Sequence, residues 1–514
     1  MPQDRERGEE VTNQGGNRDT PPVLSAGLPV CVDLDGTLVR SDTLVDSVLA
    51  IARQRPQDLW RIPGWIAQGK AAFKRQVTSA VELDVEHLPY NLPLLEWLRQ
   101  QAAEGRELYL ATAADRALAD RVAAYLGIFR GVLASDGATN LAGGNKLAAF
   151  RDSFGSHFCY IGNARPDAEV LAACESPMVA NPDSALVSAM RRAGTVPVAV
   201  FDDRTPRFKS WLKAIRLHQW AKNTLIFVPL LLAHAWNADN FASTFAGAVT
   251  AFLSFGLCAS ATYIINDLLD IEADRKHPRK RRRPFAAGDL SAISGAAMVV
   301  LMLTAGLALA IALPFIVDAA PGPYSLAQPY RFLGWLILYT VTTLTYSLYL
   351  KRKLLWDVFV LSGLYTIRIL AGSGATGVPV SAWLAGFSVF FFLSLAFVKR
   401  FSELEGLQAS GKVVPNGRGY FVTDLEQLRA LGTGAAYAAV VVMTLYINNP
   451  ESKLLYNHPI RLWLVVPVLL LWLSQVWMLA SRGEMHDDPV VFAITDKRSL
   501  LLGVLMAAVI WWAL

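Results

Sequence analysis

Cysteine is scarce. Only four occur in 514 residues, Cys31, Cys159, Cys174 and Cys258. Their spacing fits neither a metal-ligand set nor a disulfide framework, so they read as small reduced core residues. Charge is scarce too: Asp, Glu, Lys and Arg make up 18% of the chain against 53% hydrophobic residues, and the mean hydropathy is +0.32. That balance argues against a purely soluble chain and for a partly membrane-embedded one. The net charge of +5 is modest. Its basic residues follow the ends of apolar runs rather than one soluble face, which gives no sign of a nucleic-acid partner. Residues 1–22, MPQDRERGEEVTNQGGNRDTPP, lack periodicity, and residues 1–26 read as a disordered tail. They also lack an apolar core of signal-peptide type, so the N-terminal region is expected in the cytosol.

What is abundant is apolar sequence, and it is unevenly spread. Up to about Lys222 short apolar strands alternate with charged helical stretches; beyond it long apolar runs dominate. Judged against the roughly 20 apolar residues needed to cross a bilayer, about nine transmembrane helices are expected, near 219–236, 241–265, 292–318, 331–350, 354–375, 380–398, 427–447, 460–480 and 499–514. One set of loops holds the Arg275–Arg283 cluster, Lys351–Lys353, Lys399, Arg400, Lys412, Arg418, Arg482, Lys497 and Arg498. The other holds only Arg331, Lys453 and Arg461. The positive-inside rule puts the first set in the cytosol, beside the soluble N-terminal region.

The segment NDLLDIEADRKHPRKRRRPFAAG (266–288) follows the second span. Asp267, Asp270 and Asp274 fall at i, i+3 and i+7, so on one helix they share a face. Three carboxylates on one face repel unless a cation sits among them. Magnesium suits the arrangement, because it takes a few carboxylates and fills its other positions with water and phosphate oxygens. Lys280, Arg281 and Arg283 can clamp the oxygens the metal leaves. Acids for metal and bases for phosphate together make a diphosphate site, which is preferred here over a merely solvated charge cluster at a helix end. Near the C-terminus His486 lies beside Asp487 and Asp488, which reads as a solvated loop rather than a metal site.

The pattern N-D-x-x-D-x-x-x-D after the second helix resembles the first aspartate-rich motif of the UbiA-type membrane transferase superfamily. IRLHQWAKNTLIFVP (215–229) is similar to the opening of that superfamily's first helix. The resemblance covers roughly residues 212–514. It implies an all-α polytopic membrane bundle that activates a diphosphate substrate with Mg2+. The longer signature, with His277, Pro278, Lys280, Arg281, Arg283, Pro284 and Gly288, looks like the polyprenyl (decaprenyl)-phosphate phosphoribosyltransferase branch. By that likeness Asp267, Asp270 and Asp274 hold the metal. Asn266, Lys280, Arg281, Arg283, Lys399, Arg400 and Arg418 bind substrate, and Lys222 is a candidate for the acceptor phosphate. One departure stands out: the loop after the sixth span carries Lys399, Arg400, Glu403 and Glu405 in place of a second aspartate-rich motif.

In the N-terminal half, PVCVDLDGTLV (29–39) is an apolar strand running into Asp33, Asp35, Gly36 and Thr37. Such a strand presents two carboxylates at the carboxyl edge of a parallel sheet, where open α/β folds place their ligands. Asp33 can attack phosphorus while Asp35 supplies and recovers a proton. Later strands end on Thr112, a phosphoryl-oxygen donor, on Lys146, a fixed positive charge, and on Asn163 and Asp167. The ordered set resembles the haloacid-dehalogenase superfamily of phosphotransfer enzymes. It implies an α/β, Rossmann-like domain over 27–203 with a small helical cap at about 40–105, and Mg2+ held by Asp33, Asp35, Asn163 and Asp167. Here Gly162 is followed by Asn163, where that family usually has aspartate, so one negative charge is missing.

The expected protein is therefore multi-domain, with the membrane transferase over 204–514. Its expected partners are polyprenyl phosphate, phosphoribosyl diphosphate and the lipid bilayer, with a homo-oligomer left open. The expected location is the bacterial inner (plasma) membrane, both sites facing the cytoplasm. The fused phosphatase would remove the 5-phosphate from the lipid product. Alternatives are an aromatic prenyltransferase, a transferase with an inactive regulatory phosphatase-like domain, and a non-catalytic scaffold.

Overall fold

The computed structural model describes residues 24–25, 27–318, 323–324, 326, 328–409, 419–453, 455–485 and 489–514. The expected tail and Arg418 lie outside the described residues, apart from Leu24 and Ser25 of the tail. The chain forms two compact units, one of residues 1–213 with 267–295 and the other of 214–266 with 296–514.

The first unit is built on six strands: β1 (Val30–Val32), β2 (Leu108–Asp115), β3 (Gly131–Ser135), β4 (Cys159–Gly162), β5 (Ser176–Ala180) and β6 (Ala199–Phe201). They form one parallel sheet in the order β3-β2-β1-β4-β5-β6. β1 and β4 are buried along their whole length, as a parallel sheet covered on both faces requires, and so they read as unbroken apolar runs. Side chains alternate between two cores. Val30, Val32 and Ile161 pack with Leu94 and Leu98 on one face. Cys31 and Tyr160 pack with Phe150 and Leu171 on the other. The connecting helices carry local stop and start signals. Asp42, Asn91, Asp115 and Asp183 accept from backbone N–H groups at four helix starts, and Gly127 and Gly194 close two helices in the left-handed region. Between β1 and β2 lie three short helices, Thr43–Gln54, Ile62–Ala67 and Lys70–Ala80. The fourth, Leu92–Ala103, is part of the sheet's own core.

In the second unit the long helices are Phe241–Leu269 and Ala292–Val317, which both run past the unit boundary, then Arg331–Leu348, Trp356–Thr376, Ala382–Ala409, Leu425–Asn448, Val465–Ser481 and Lys497–Ala513. Six helices among the described residues are long and apolar enough to cross a membrane; Arg331–Leu348 and the 17-residue Lys497–Ala513 are not among the six. The expected span at 219–236 is different in kind. Leu217–Phe227 winds as 3-10 turns, and only Val228–Leu232 is α-helical, with Pro229 in its first turn. Apolar content suggests a membrane stretch here, but it does not specify the hydrogen-bonding pattern.

Packing against this stretch explains one glycine. A Cβ at Gly372 would sit 2.1 Å from the carbonyl oxygen of Ile226. Gly372→Ala is expected to destabilise the protein by about 1–3 kcal/mol through overpacking, read as a lower unfolding midpoint in detergent. Gly363→Ala, in the same helix with nothing within 4 Å of the added methyl, should not.

Candidate functional site

The carboxyl edge of the sheet gathers the expected N-terminal residues. Asp33 leaves the end of β1, Thr112 lies on β2, and Asn163 and Asp167 follow β4. Lys146 arrives on the helix Gly144–Phe154 with its amine buried 3.1 Å from Asp33 Oδ1, 2.8 Å from the Tyr160 hydroxyl and 3.5 Å from Asp167 Oδ1. Tyr160 donates to Asp167 Oδ1 at 2.6 Å, and the amides of Asn163 and Ala164 both donate to Oδ2 at 3.1 Å. Asp167 is therefore well supplied with donors. Burial pushes Asp33 up to about 6, against the pull of Lys146. It pushes Asp35 up to about 7, with the nearby Asp42 adding to the shift. Carboxyls gathered in this way suit a hard cation, and Asp33, Asp35 and the Asn163 amide are groups that could hold it beside Lys146. Gly36 is needed here: at φ +76° it leaves room for the Asn163 amide, which would lie 2.0 Å from an added Cβ. These residues line a cleft of about 1320 Å³.

Two members of this site are not singled out by sequence. Tyr160 reads as a core aromatic in an apolar strand. Lys74, in the charged stretch KAAFKRQ, reads as a solvated face. It instead donates to the carbonyl of Ala113 at 2.6 Å and to Asn140 at 2.9 Å. Burial lowers its pKa, against the opposing pull of Asp35, Asp42 and Asp33.

The aspartate segment lies in the same unit. Its helix ends at Leu269, and Asp270 begins a new short helix, Ile271–Lys276, so the three carboxylates do not share one helical face. The break turns Asp267 and Asp274 toward each other. Both are 2% exposed, and both accept from the same nitrogen, Arg283 Nη1, at 3.1 and 2.6 Å. Asp270 is paired elsewhere, with Arg53 at 3.3 Å. Burial raises the Asp274 pKa even with Arg283 beside it. Two buried carboxylates addressing one point of positive charge are a donor set that fits a magnesium ion. Lys280 and Arg281 are exposed in the following turn. Arg275 anchors the segment: it donates to Asp46 at 2.8 Å, Ser41 at 3.0 Å and the Ala286 carbonyl at 3.2 Å.

In the second unit, Lys351 Nζ lies 3.4 Å from Asn266 Oδ1, and Lys399 is half-buried. Arg400 departs from the phosphate-binding role expected of it. It is completely buried, ion-paired with Asp357 and Glu403, and 3.3 Å from the Tyr346 hydroxyl. Tyr420 donates to the same Asp357 and accepts from the Leu355 amide. Such a network fixes helix packing, since removing one partner strands a buried charge. Lys222 Nζ stands 5.8 Å from the centre of the Tyr365 ring.

Comparison with known proteins adds an independent line. Residues 226–496 match the UbiA prenyltransferase family. The chain is 37% identical over 483 residues to the uncharacterized protein y4nM of Sinorhizobium fredii, covering 94% of this chain and 90% of that one. It is 30% identical over 301 residues to the decaprenyl-phosphate phosphoribosyltransferase of Mycobacterium tuberculosis, 58% of this chain and 92% of the relative. A UbiA homolog from Archaeoglobus fulgidus, solved bound to GPP and Mg2+, is 16% identical with a TM-score of 0.43, covering 58% of this chain and 97% of that chain.

Proposed function

The chain belongs to the UbiA prenyltransferase family, and from that membership we propose that this multi-pass membrane transferase moves 5-phosphoribose from phosphoribosyl diphosphate to a polyprenyl phosphate. The observation that carries the reading is the convergence of Asp267 and Asp274 on one cationic nitrogen in the segment 266–288. The 30% identity to a decaprenyl-phosphate phosphoribosyltransferase supports the choice of donor and acceptor. A phosphate oxygen of the lipid forms the new bond to the ribose anomeric carbon. The bond from that carbon to the diphosphate breaks, and pyrophosphate leaves with the electron pair. The acceptor is already an anion near neutral pH, so no general base is required. Asp267 and Asp274 would hold a magnesium ion, with Asp270, paired to Arg53, acting from outside that pair. When bound, that ion supplies the charge that stabilises the departing pyrophosphate. Arg283, Lys280 and Arg281 hold the remaining phosphate oxygens, and positioning does the rest. Asn266, Lys399 and Arg418 are further substrate ligands in this reading. Arg400 acts only by positioning.

The N-terminal site is proposed to be a phosphatase of haloacid-dehalogenase type that removes the 5-phosphate from the lipid product. Asp33 is the nucleophile, Asp35 the proton donor and acceptor, and Thr112 and Lys146 hold the phosphoryl group. Joining the two activities in one chain raises the effective concentration of product at the second site. Both sites would face the cytoplasm of a bacterial inner membrane, giving polyprenyl-phosphoryl ribose for envelope arabinosylation.

The test is to incubate membranes containing the protein with radiolabelled phosphoribosyl diphosphate and polyprenyl phosphate, then separate the lipids. A labelled polyprenyl-phosphoryl ribose is expected. Labelling only from a prenyl diphosphate onto a phenolic acid would replace this reading with an aromatic prenyltransferase.

A further inference from the structure

Among the described residues of the membrane unit, one buried arginine has no carboxylate paired with it. Arg368, on the helix Trp356–Thr376, is 5% exposed. Its Nε donates to Asn223 Oδ1 at 2.9 Å, its Nη1 to the Leu364 carbonyl at 2.6 Å, and its Nη2 to the Tyr339 hydroxyl at 3.0 Å. Among the described residues no aspartate or glutamate pairs with it, whereas Arg400 has two carboxylates. Aromatic rings take part of the load: Tyr339 and Tyr365 have their centres 4.7 and 5.6 Å from the guanidinium carbon. Neutral acceptors and ring faces leave the charge itself uncompensated, and an intramembrane ionisable group in that state is costly unless it serves a ligand.

A second, separate observation points the same way. Asn223 is 1% exposed, and its Nδ2 has no hydrogen-bond partner. With Oδ1 committed to Arg368, the amide presents a spare donor next to a spare positive charge. A buried donor left unmade costs free energy, and an anion would satisfy both groups at once. Lys222, the residue before it, approaches the Tyr365 ring that Arg368 also approaches. This donor cluster sits on the stretch that winds as 3-10 turns instead of forming the expected span.

The neighbouring space is predominantly apolar, with Ser388, Tyr446 and Tyr456 as its polar lining residues. A cavity of about 230 Å³ is lined by Leu225, Val228, Ile369, Phe387, Phe391 and Met443, among others. Leu225 is two residues beyond Asn223, and Ile369 directly follows Arg368. Apolar cavities of this kind stay dry and accept hydrocarbon. Cation, spare amide donor and dry apolar cavity together describe a phosphate that carries an aliphatic chain.

We propose that Arg368, Asn223 and Lys222 seat the phosphate of the acceptor lipid, with the first isoprenoid units in the adjoining cavity. The identity of the lipid as a polyprenyl monophosphate rests on the transferase reading above; the anion seat does not. Arg368 is thus a binding residue for the acceptor, separate from the groups that hold the donor's diphosphate.

The experiment uses the full chain in nanodiscs and reads two quantities. One is KM for a polyprenyl monophosphate and for phosphoribosyl diphosphate. The other is direct binding of the polyprenyl monophosphate, the corresponding polyprenol and a prenyl diphosphate. Arg368→Gln is expected to raise KM and Kd for the monophosphate at least about tenfold, equivalent to about 1.4 kcal/mol. The donor KM should stay within about twofold and polyprenol binding should not change. Arg368→Lys should recover part of the loss, because the charge remains while the fork geometry is gone. An unchanged acceptor KM in a wild type that does transfer phosphoribose overturns the seat and leaves the transferase reading standing. No phosphoribosyl transfer by wild type, with monophosphate binding lost in Arg368→Gln, leaves the seat standing and removes the reading. A rise in donor KM alone, or loss of prenyl diphosphate binding alone, overturns the assignment to the acceptor. If Arg368→Gln fails to fold, Asn223→Ser and Lys222→Met carry the test, and unchanged monophosphate affinity in both overturns the proposal.

Discussion

Asp274→Asn is expected to slow phosphoribosyl transfer on the order of 10²–10³-fold, the size of loss that follows removal of one preorganised charge-stabilising group. The protein should remain folded, because Arg283 keeps Asp267 as a partner at 3.1 Å. The substitution preserves shape and one oxygen while deleting the charge, so an effect on rate reports electrostatics rather than packing. The magnesium concentration for half-maximal rate should rise in parallel, and chelation should silence the wild type. Asp270→Asn should cost less, roughly 10–100-fold, the range for outer-shell partners of a metal site, because Asp270 is engaged with Arg53. Transfer rates at several magnesium concentrations separate these outcomes. Full activity in Asp274→Asn would mean that the carboxylates serve only to pair with Arg283.

The amount of this that is legible in the sequence follows from what each pattern encodes. The parallel sheet is readable because β1 and β4 are continuous apolar runs, and because the chemistry comes at their carboxyl ends, at Asp33 and Asn163. The i, i+3, i+7 spacing of Asp267, Asp270 and Asp274 is also visible, but spacing assumes one continuous helix. The chain breaks at Asp270, and only then do Asp267 and Asp274 meet. Arg283 reads as one cation in a basic run; its position between two buried carboxylates is a tertiary fact. The long span expected at 219–236 fails for a related reason: hydropathy does not specify backbone hydrogen bonding, and Leu217–Phe227, with polar residues among its apolar ones, winds as 3-10 turns instead of an α-helix. Arg368 escapes notice because a single arginine in LSGLYTIRILAG carries no motif. Its significance is that, among the described residues, no carboxylate pairs with it, which only the packed bundle reveals. Arg400 shows the converse, since a basic residue at a helix end looks like a phosphate ligand until Asp357 and Glu403 are seen around it.

Asp33→Asn should separate the two proposed activities. Loss of a covalent nucleophile costs on the order of 10⁴–10⁶-fold in rate, so release of inorganic phosphate from the lipid product should fall below detection. Transfer should continue, and the 5-phosphorylated lipid should accumulate where wild type yields polyprenyl-phosphoryl ribose. Lys146 would still have Asp167 at 3.5 Å and the Tyr160 hydroxyl at 2.8 Å, so its amine keeps a counter-ion and the sheet edge keeps its shape. The comparison that matters is between lipid products of wild type and variant, separated and counted for both the ribose label and the phosphate. An intact wild type that stops at the 5-phosphate would show that the N-terminal site does not act on this lipid. Asn163 then becomes the residue to suspect: with an amide in place of a carboxylate, the cleft holds one negative charge fewer with which to bind a divalent ion.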